Sequence, residues 1–174
     1  MVVQDDLRTL IRDIPDFPEP GILFRDITPL LGDAAGFARA LDWFAALPSA
    51  RGATAIVGIE SRGFIFAAPL AAHLGVGFVP VRKEGKLPHA AHAAEYTLEY
   101  GESILEIHQD ALSAGDRALV VDDLLATGGT ARAAARLVEM TGATLTGLAF
   151  LIELGGLDGR ALLPDRPVDA LITY

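Results

Sequence analysis

Two adjacent carboxylates and a glycine-rich turn lie together in the segment Val120–Thr130. The apolar run before the carboxylates is typical of a buried strand, and the segment after the turn has the periodicity of a helix. A helix N-terminus presents N–H groups without intrahelical partners, and Gly128 and Gly129 allow a close approach of the backbone to a ligand. The Ala126–Thr130 turn is therefore predicted to bind a phosphate group, with hydroxyl donors from its threonines.

The two carboxylates, Asp122 and Asp123, would repel a phosphate bound directly beside them. They are better matched to a hydroxylated, cationic or metal-bound part of the same ligand, and a ribose 5-phosphate unit has both features. The segment lacks the G-K-[ST] of a Walker loop and an intact G-x-G-x-x-G, which disfavours nucleotide triphosphatase and dinucleotide-binding functions. The simpler alternative is a helix N-terminus preceded by two solvated aspartates.

The elements that must position this segment have an alternating pattern. Short apolar runs without polar alternation indicate strands covered on both faces; they are Ala55–Ile59, Phe78–Val81, Ala118–Val121 and Leu145–Ile152. Helical segments at Phe64–Leu74 and Thr130–Met140 lie between strands, and Tyr96–Tyr100 with Ser103–His108 fits a hairpin. The pattern predicts an α/β fold with a central, mainly parallel sheet flanked by helices, in which ligands bind at the carboxyl ends of the strands.

The N-terminal region has a different pattern. The apolar residues of the segment 7–14 have helical spacing, so a helix is predicted there. The proline-rich segment Pro15–Gly21 is predicted to run extended, because its prolines lack N–H donors and restrict the residues before them. Asp33 is the predicted N-cap of a second helix.

Composition restricts the possible functions. The 174 residues have a formal net charge of −9, so no overall positive field would attract nucleic acid or an anionic membrane. The lack of cysteine excludes disulfides, thiolate zinc sites and cysteine nucleophiles. The uncharged segment Gly63–Val81 could reach across a bilayer, but its prolines and glycines favour a buried helix followed by a buried strand. We expect a single cytoplasmic domain over residues 1–174 with no nucleic acid and no membrane partner.

Four further segments carry a recognisable order of residues: Phe17–Pro29, Glu60–Phe64, Arg82–Pro88 and Tyr96–Gly101. Together with Val120–Thr130, they resemble the type I phosphoribosyltransferase family, whose signature for 5-phosphoribosyl-1-pyrophosphate (PRPP) is similar to that segment. The proline-rich segment and Leu-Glu-Tyr-Gly point to the adenine-specific branch. The resemblance implies the type I phosphoribosyltransferase fold, with a small hood of about residues 1–32 over the base site and a core of about 33–174.

The resemblance implies an enzyme of purine salvage, a glycosyltransferase that forms AMP and pyrophosphate from adenine and PRPP. It implies Mg²⁺ as the cofactor, held mainly through substrate and water rather than by direct protein ligands. It also implies a homodimer, with Arg82 near the neighbouring subunit's site. Two alternatives stay open: a phosphoribosyltransferase for another base, and a non-catalytic regulator that senses PRPP or purine.

The resemblance assigns the ribose and phosphate contacts to the signature segment. Asp122 and Asp123 would bind the ribose hydroxyls. The 5-phosphate would be held by Ala126, Thr127, Gly128, Gly129 and Thr130. Pyrophosphate would be bound by Arg62, Arg82, Lys83 and Lys86, although the simpler interpretation of these cations is ordinary surface charge. Cations at this position would stabilise the negative charge that pyrophosphate gains as it leaves an oxocarbenium-like transition state.

The base site and the catalytic group are also implied by the resemblance. The adenine-binding residues would be Leu23, Phe24, Arg25 and Leu154, with the ring between Phe24 and Leu154, although Phe24 could also be a plain core residue. The catalytic residues would be Glu99, Tyr100 and Arg62, with Glu99 handling a proton at the N7/N9 edge of the base and Tyr100 covering the reacting centre.

Two departures from the family pattern bear on how this loop is ordered and on the affinity of the protein for PRPP. Glu84 occupies a position in the basic segment where the family often has a base. His89 and His92 lie in a predicted loop of small residues, and they are interpreted as loop histidines rather than metal ligands.

Overall fold

The computed structural model describes residues 6–98 and 101–174. The chain divides into two compact units, one ending at Trp43 and the other comprising Phe44–Tyr174. The prediction of one domain over residues 1–174, with a hood over the base site, stays a prediction.

The first unit contains a two-stranded antiparallel sheet of β1 (Arg12–Pro15) and β2 (Leu23–Asp26), followed by the short helix α1 (Thr28–Gly32). The helix predicted for the segment 7–14 is therefore wrong in its second half, because β1 occupies that part of the segment and Ile14 pairs with Phe24. Leu7 and Ile11 are nevertheless buried. Pairing with β2 overrides the local helical spacing, as tertiary contacts commonly do.

The segment Pro15–Gly21 is a hairpin turn and not the predicted extended tether. Asp16 has a left-handed φ of 56°, and its Oδ1 atom accepts a hydrogen bond of 2.7 Å from the Gly21 N–H. The Phe17 N–H donates to the Ile22 carbonyl at 3.2 Å, which closes the turn. An aspartate side chain that satisfies a backbone donor in this way stabilises a turn.

The helix α2 (Ala34–Ala46) begins as predicted. The Asp33 Oδ1 atom accepts a hydrogen bond of 2.6 Å from the Gly36 N–H, which is the contact of an N-cap residue.

The second unit is built on a seven-stranded sheet in the order β5-β6-β4-β3-β7-β8-β9. The strand bounds are Ala55–Ile59 for β3, Gly77–Lys83 for β4, Ala91–Leu98 for β5, Gly101–His108 for β6, Arg117–Leu125 for β7, Thr144–Glu153 for β8 and Val168–Thr173 for β9. The pairs β3–β4, β3–β7, β7–β8 and β8–β9 are parallel, whereas β4–β6 and β5–β6 are antiparallel. The predicted α/β class with a mainly parallel sheet is confirmed.

Two helices of the second unit follow strands of the parallel part of the sheet: α3 (Gly63–Leu74) after β3 and α4 (Gly129–Met140) after β7. The segment Gly63–Val81 is thus a helix followed by a strand, as predicted. Among the described residues, no helix is both long and apolar enough to cross a membrane.

The core of the second unit lies along the central strands. Every residue of β3 is buried, and Val120 of β7 and Leu148 and Phe150 of β8 are fully covered. Burying a side chain of this size contributes about 1.5–3 kcal/mol of transfer free energy. The well-packed sheet therefore provides a stable base for the loops at its carboxyl edge.

Two details of the sheet differ from the elements predicted from the sequence. The hairpin of β5 and β6 begins at Ala91, so His92 lies in a strand opposite Ile107 and not in a loop. The strand β9 was not predicted, and Asp169 interrupts the apolar run within it.

Candidate active site

A cavity of about 370 Å³ lies at the carboxyl ends of β3, β4 and β7. Its walls are formed by Glu60, Ser61, Arg62, Lys83, Tyr96, Asp122, Asp123, Leu124, Leu125, Ala126, Thr127, Gly128, Thr130 and Ala131. The three strands are parallel neighbours, so the chain segments that leave their carboxyl ends meet at one edge. The residues come from separate parts of the sequence and are brought together by the topology of the sheet.

The Ala126–Thr130 turn connects the end of β7 to the first turn of α4. Gly128 caps the helix with a left-handed φ of 87°, a conformation in which a side chain is strained. Four residues of the turn line the cavity, and Gly129 is the first residue of the helix behind them. The first N–H groups of a helix have no intrahelical acceptor, which makes this end of α4 suited to an anion.

Asp122 and Asp123 border the same cavity. The Asp123 side chain is buried, and its Oδ2 atom lies 2.8 Å from Nε of Arg62 in an ion pair. The Asp122 Oδ1 atom accepts a hydrogen bond of 2.9 Å from the Asp123 N–H. A Cβ atom on Gly63 would lie 2.7 Å from that same Oδ1 atom, so only glycine lets α3 begin this close to the carboxylate.

The environment of the two carboxyls raises the pKa of both groups. Burial is the main cause for Asp122, and the adjacent charge of Asp123 adds to it. Burial also raises the pKa of Asp123, but the Arg62 guanidinium opposes that shift. Of the two carboxyls, Asp123 is therefore the one whose negative charge is directly compensated by a cation.

Glu60 binds the basic segment Arg82–Pro88, which begins with the last two residues of β4. Its Oε2 atom accepts hydrogen bonds of 2.9 Å from both Arg82 Nε and the Lys83 N–H. The Lys83 N–H is the largest cause of a lowered pKa of Glu60, so this carboxylate is ionised at neutral pH. The peptide bond between Glu60 and Ser61 is cis.

The predicted pyrophosphate residues are only partly brought together. Arg62 and Lys83 line the cavity, whereas Arg82 and Lys86 are not among its lining residues. The Arg82 guanidinium lies over the ring of Phe64, with its central carbon 5.9 Å from the ring centroid. Lys86 follows in the turn after β4, where its N–H donates to the Lys83 carbonyl at 3.2 Å.

The predicted base residues lie in different units of the chain. Leu23, Phe24 and Arg25 form most of β2 in the first unit, where the rings of Phe24 and Phe17 meet edge to face at 5.2 Å. Leu154 follows β8 in the second unit, and its N–H donates to the Leu125 carbonyl at 2.9 Å.

The predicted catalytic residues Glu99 and Tyr100 lie outside the described residues. Their roles stay predictions from the family resemblance.

Sequence reasoning assigned no role to Glu60 or Tyr96, and both line the cavity. The signal for Glu60 was present, because it directly follows a predicted strand and precedes Arg62. Tyr96 is nearly buried in β5, and an aromatic residue in a strand resembles any other core position.

Known proteins are similar to this chain in sequence. The family model of the phosphoribosyl transferase domain matches residues 38–166. The chain is 61% identical to the adenine phosphoribosyltransferase of Synechococcus sp., over 97% of this chain and 99% of that protein.

Solved structures give the same result. The adenine phosphoribosyltransferase of Thermoanaerobacter pseudethanolicus is 50% identical, with a TM-score of 0.94 over 98% of this chain and 99% of that one. The Saccharomyces cerevisiae enzyme, in complex with 2,5-dideoxy-2,5-imino-altritol 1,6-bisphosphate and adenine, is 42% identical, with a TM-score of 0.93 over 98% of each chain. On this identity over almost its full length, the chain belongs to the adenine phosphoribosyltransferase family.

Proposed function

We propose that the cavity at the carboxyl edge of β3, β4 and β7 is where this purine-salvage enzyme joins adenine to the ribose 5-phosphate unit of PRPP. The observation that carries this assignment is the convergence of three kinds of group on one cavity of about 370 Å³. They are the Ala126–Thr130 turn, the carboxyl pair of Asp122 and Asp123, and the cations of Arg62 and Lys83.

The turn and the carboxyl pair would hold the part of PRPP that does not react. The 5-phosphate accepts hydrogen bonds from the N–H groups at the start of α4 and from the hydroxyls of Thr127 and Thr130. The ribose hydroxyls donate to carboxylate oxygens of Asp122 and Asp123. Fixing both ends of the sugar orients its anomeric carbon for the displacement.

The basic residues would act on the leaving group. The bond between the anomeric carbon and pyrophosphate oxygen breaks, a bond to adenine N9 forms, and the N9 proton is released. Negative charge grows on pyrophosphate while the ribose becomes oxocarbenium-like, so the cations of Arg62 and Lys83 stabilise the transition state more than the ground state. By resemblance, Arg82 and Lys86 join this group and Glu99 receives the proton.

Mg²⁺ is the proposed cofactor. Within the residues that the structure describes, no cluster of three or more His, Cys, Asp or Glu side chains could hold a metal ion. Asp122 and Asp123 line the cavity, and their carboxyl oxygens are hard acceptors that would hold the ion mainly through water and substrate. The ion would supply positive charge to the pyrophosphate group when it is bound.

Adenine would be held by Leu23, Phe24, Arg25 and Leu154. By resemblance, backbone groups of Leu23 and Arg25 would bond the polar edge of the base. An aromatic face at Phe24 and an aliphatic one at Leu154 suit the two apolar faces of the ring.

The homodimer is likewise a proposal. Phe64 and Phe78 meet edge to face at 5.6 Å, and Ile65 and Phe78 are exposed by 38% and 36%. These apolar side chains next to Arg82 suit contact with a second copy of the chain. Sedimentation equilibrium should give twice the mass of the chain, and a monomer at micromolar concentration would refute the proposal. Cytoplasmic location stays a prediction from the sequence.

The decisive assay of the reaction is AMP formation by the purified protein from adenine, PRPP and Mg²⁺. We expect AMP and pyrophosphate in equal amounts, and no reaction when PRPP is replaced by ribose 5-phosphate. Consumption of guanine or hypoxanthine instead of adenine would assign another base. Binding of PRPP without turnover of any purine would favour the sensor hypothesis, which the identity to named transferases does not support.

A further inference from the structure

Two glycines far apart in the sequence approach each other closely behind the Ala126–Thr130 turn. A Cβ atom on Gly128 would lie 2.2 Å from the Gly159 carbonyl oxygen. A Cβ atom on Gly159 would lie 2.2 Å from the Ala126 carbonyl oxygen and 3.1 Å from the Gly128 nitrogen. The nearest obstructing atoms are backbone in both directions, so the two chain segments fit together only when neither residue has a side chain.

The segment that presents Gly159 is firmly held. It follows β8 as two short 3₁₀ turns, Gly155–Leu157 and Gly159–Leu162. Arg160 donates two hydrogen bonds to Glu153, from Nε to Oε1 at 2.7 Å and from Nη2 to Oε2 at 2.8 Å. A third bond, from Arg160 Nη1 to the Val168 carbonyl at 2.6 Å, reaches the adjacent strand β9.

The Arg160 contact is strong because Glu153 is a buried carboxylate at the end of β8. Hydrogen bonding to Glu153 is the main cause of the raised pKa of Arg160. A paired, two-pronged contact of this kind fixes orientation as well as charge. Gly159, the residue before Arg160, is thereby fixed to the ends of two sheet strands.

We infer that Gly159 is a positioning residue for the phosphate-binding turn of this enzyme. By packing against the Ala126 carbonyl and the Gly128 nitrogen, it holds the turn in the conformation that presents N–H groups to the 5-phosphate. The inference rests on the proposed role of the Ala126–Thr130 turn. It adds a residue that is not among those lining the cavity.

The Gly159→Ala variant tests the inference. The φ of Gly159 lies outside the left-handed region, so alanine is allowed there by the backbone. Its Cβ atom would meet the turn and, at 3.1 Å, Cδ1 of Leu125, the last residue of β7 before the turn. Gly156→Ala is the matched control, since Gly156 lies in the same segment and a Cβ atom on it would meet nothing within 4 Å. Both variants are purified and first checked for folding by circular dichroism.

The readout is equilibrium binding of AMP and of adenosine, which differ only in the phosphate. For Gly159→Ala we expect the Kd of AMP to rise about 10- to 100-fold, as for the loss of one or two charge-assisted hydrogen bonds. The Kd of adenosine should change less than about twofold, because the base and ribose contacts are retained. A raised Kd for both ligands, or a lower melting temperature with both Kd values unchanged, would indicate a general loss of packing and overturn the inference.

Equal AMP affinities for Gly159→Ala and Gly156→Ala would overturn the inference and leave the proposed function intact. An unmodified protein that binds AMP no more tightly than adenosine would refute the phosphate site itself, and the inference with it. If Gly159→Ala does not fold, Arg160→Lys decides, because it keeps the charge but loses the two-pronged contact. A higher AMP Kd with unchanged adenosine Kd then supports the inference, and an unchanged AMP Kd overturns it.

Discussion

In the proposed reaction, the Ala126–Thr130 turn and the basic segment at the end of β4 would offer binding groups of two different kinds to the same substrate. The turn presents backbone N–H groups, fixed by a strand end, a helix and the contact of Gly128 with Gly159. The basic segment presents side-chain cations. Glu60 accepts hydrogen bonds from Arg82 Nε and the Lys83 N–H, and Glu106 accepts one of 3.0 Å from the Gly85 N–H, so the two acids hold the Arg82 side chain and the backbone of the segment. Backbone donors are rigid and uncharged, whereas side-chain cations adapt and carry full charge.

This difference matches the fate of the two phosphate groups. The 5-phosphate is unchanged by the reaction, so a rigid site only needs to hold it in place. The pyrophosphate gains charge and then leaves, and full positive charges respond to that change more strongly than dipoles do. The comparison therefore predicts that binding of the 5-phosphate depends mainly on the geometry of the turn, whereas binding of pyrophosphate depends mainly on the charge of the basic segment.

The largest effect is expected from Gly128→Ala. Alanine would be strained at a φ of 87° and would meet the Gly159 carbonyl, so the turn must move. AMP affinity should fall about 100-fold in a calorimetric titration. Gly75→Ala is the control, because Gly75 has a φ of 69° but nothing within 4 Å of its Cβ position. Equal AMP affinities for the two variants would show that the turn is not held by this contact.

A smaller effect is expected at the basic segment from Glu60→Ala. The variant loses the acceptor for Arg82 Nε and the Lys83 N–H, and steady-state kinetics should show a KM for PRPP raised about tenfold. Glu60→Gln keeps an acceptor oxygen and should stay within about threefold of the unmodified protein. A lower KM for the alanine variant would mean that Glu60 acts by repulsion and not by positioning.

Salt should separate the two sites further. Raising KCl from about 50 to 500 mM should weaken pyrophosphate binding about tenfold and AMP binding about threefold, because exposed full charges are screened more than partly enclosed dipoles. Competition against a fluorescent nucleotide measures both ligands in the same buffers. An equal dependence of Kd on KCl concentration for the two ligands would contradict the proposed difference between the sites.

The smallest effect concerns stability, in the variant Asp122→Asn. Because the pKa of Asp122 is raised in the folded protein, its ionisation destabilises the fold as pH rises from the ordinary value of 3.8 through the raised pKa. At pH 7 the variant should unfold at a higher temperature than the unmodified protein, while turnover falls. The gain should shrink as the pH is lowered towards 4, and a gain independent of pH would contradict the assignment.

The comparison also explains what the sequence could predict. The strands β3, β4, β7 and β8 and the turn before α4 are specified by contiguous residues, so their apolar runs and glycines were sufficient. The helix predicted for the segment 7–14 and the extended segment predicted for Pro15–Gly21 are wrong at the β1–β2 hairpin. The conformation of β1 depends on its pairing with β2, and that of the turn depends on the contact of Asp16 with Gly21. Local spacing contains no information about such partners.

The same reasoning applies to the candidate site. Asp122, Asp123 and the turn follow from one motif, and the structure brings them together with Arg62 and Lys83. The hydrogen bond between Glu60 and Arg82 depends on the register of β3 and β4, which a local sequence pattern does not contain. The contact between Gly128 and Gly159 could not be predicted either, because the sequence does not distinguish a glycine packed against a distant backbone segment from an ordinary loop glycine.

The most direct test of the account is a crystal structure of the protein with bound AMP. We predict phosphoryl oxygens at about 2.7–2.9 Å from backbone nitrogens of the Ala126–Thr130 turn, with the ribose hydroxyls on Asp122 and Asp123. A nucleotide bound elsewhere, or a phosphate held by Arg62 and Lys83 with the turn empty, would contradict it.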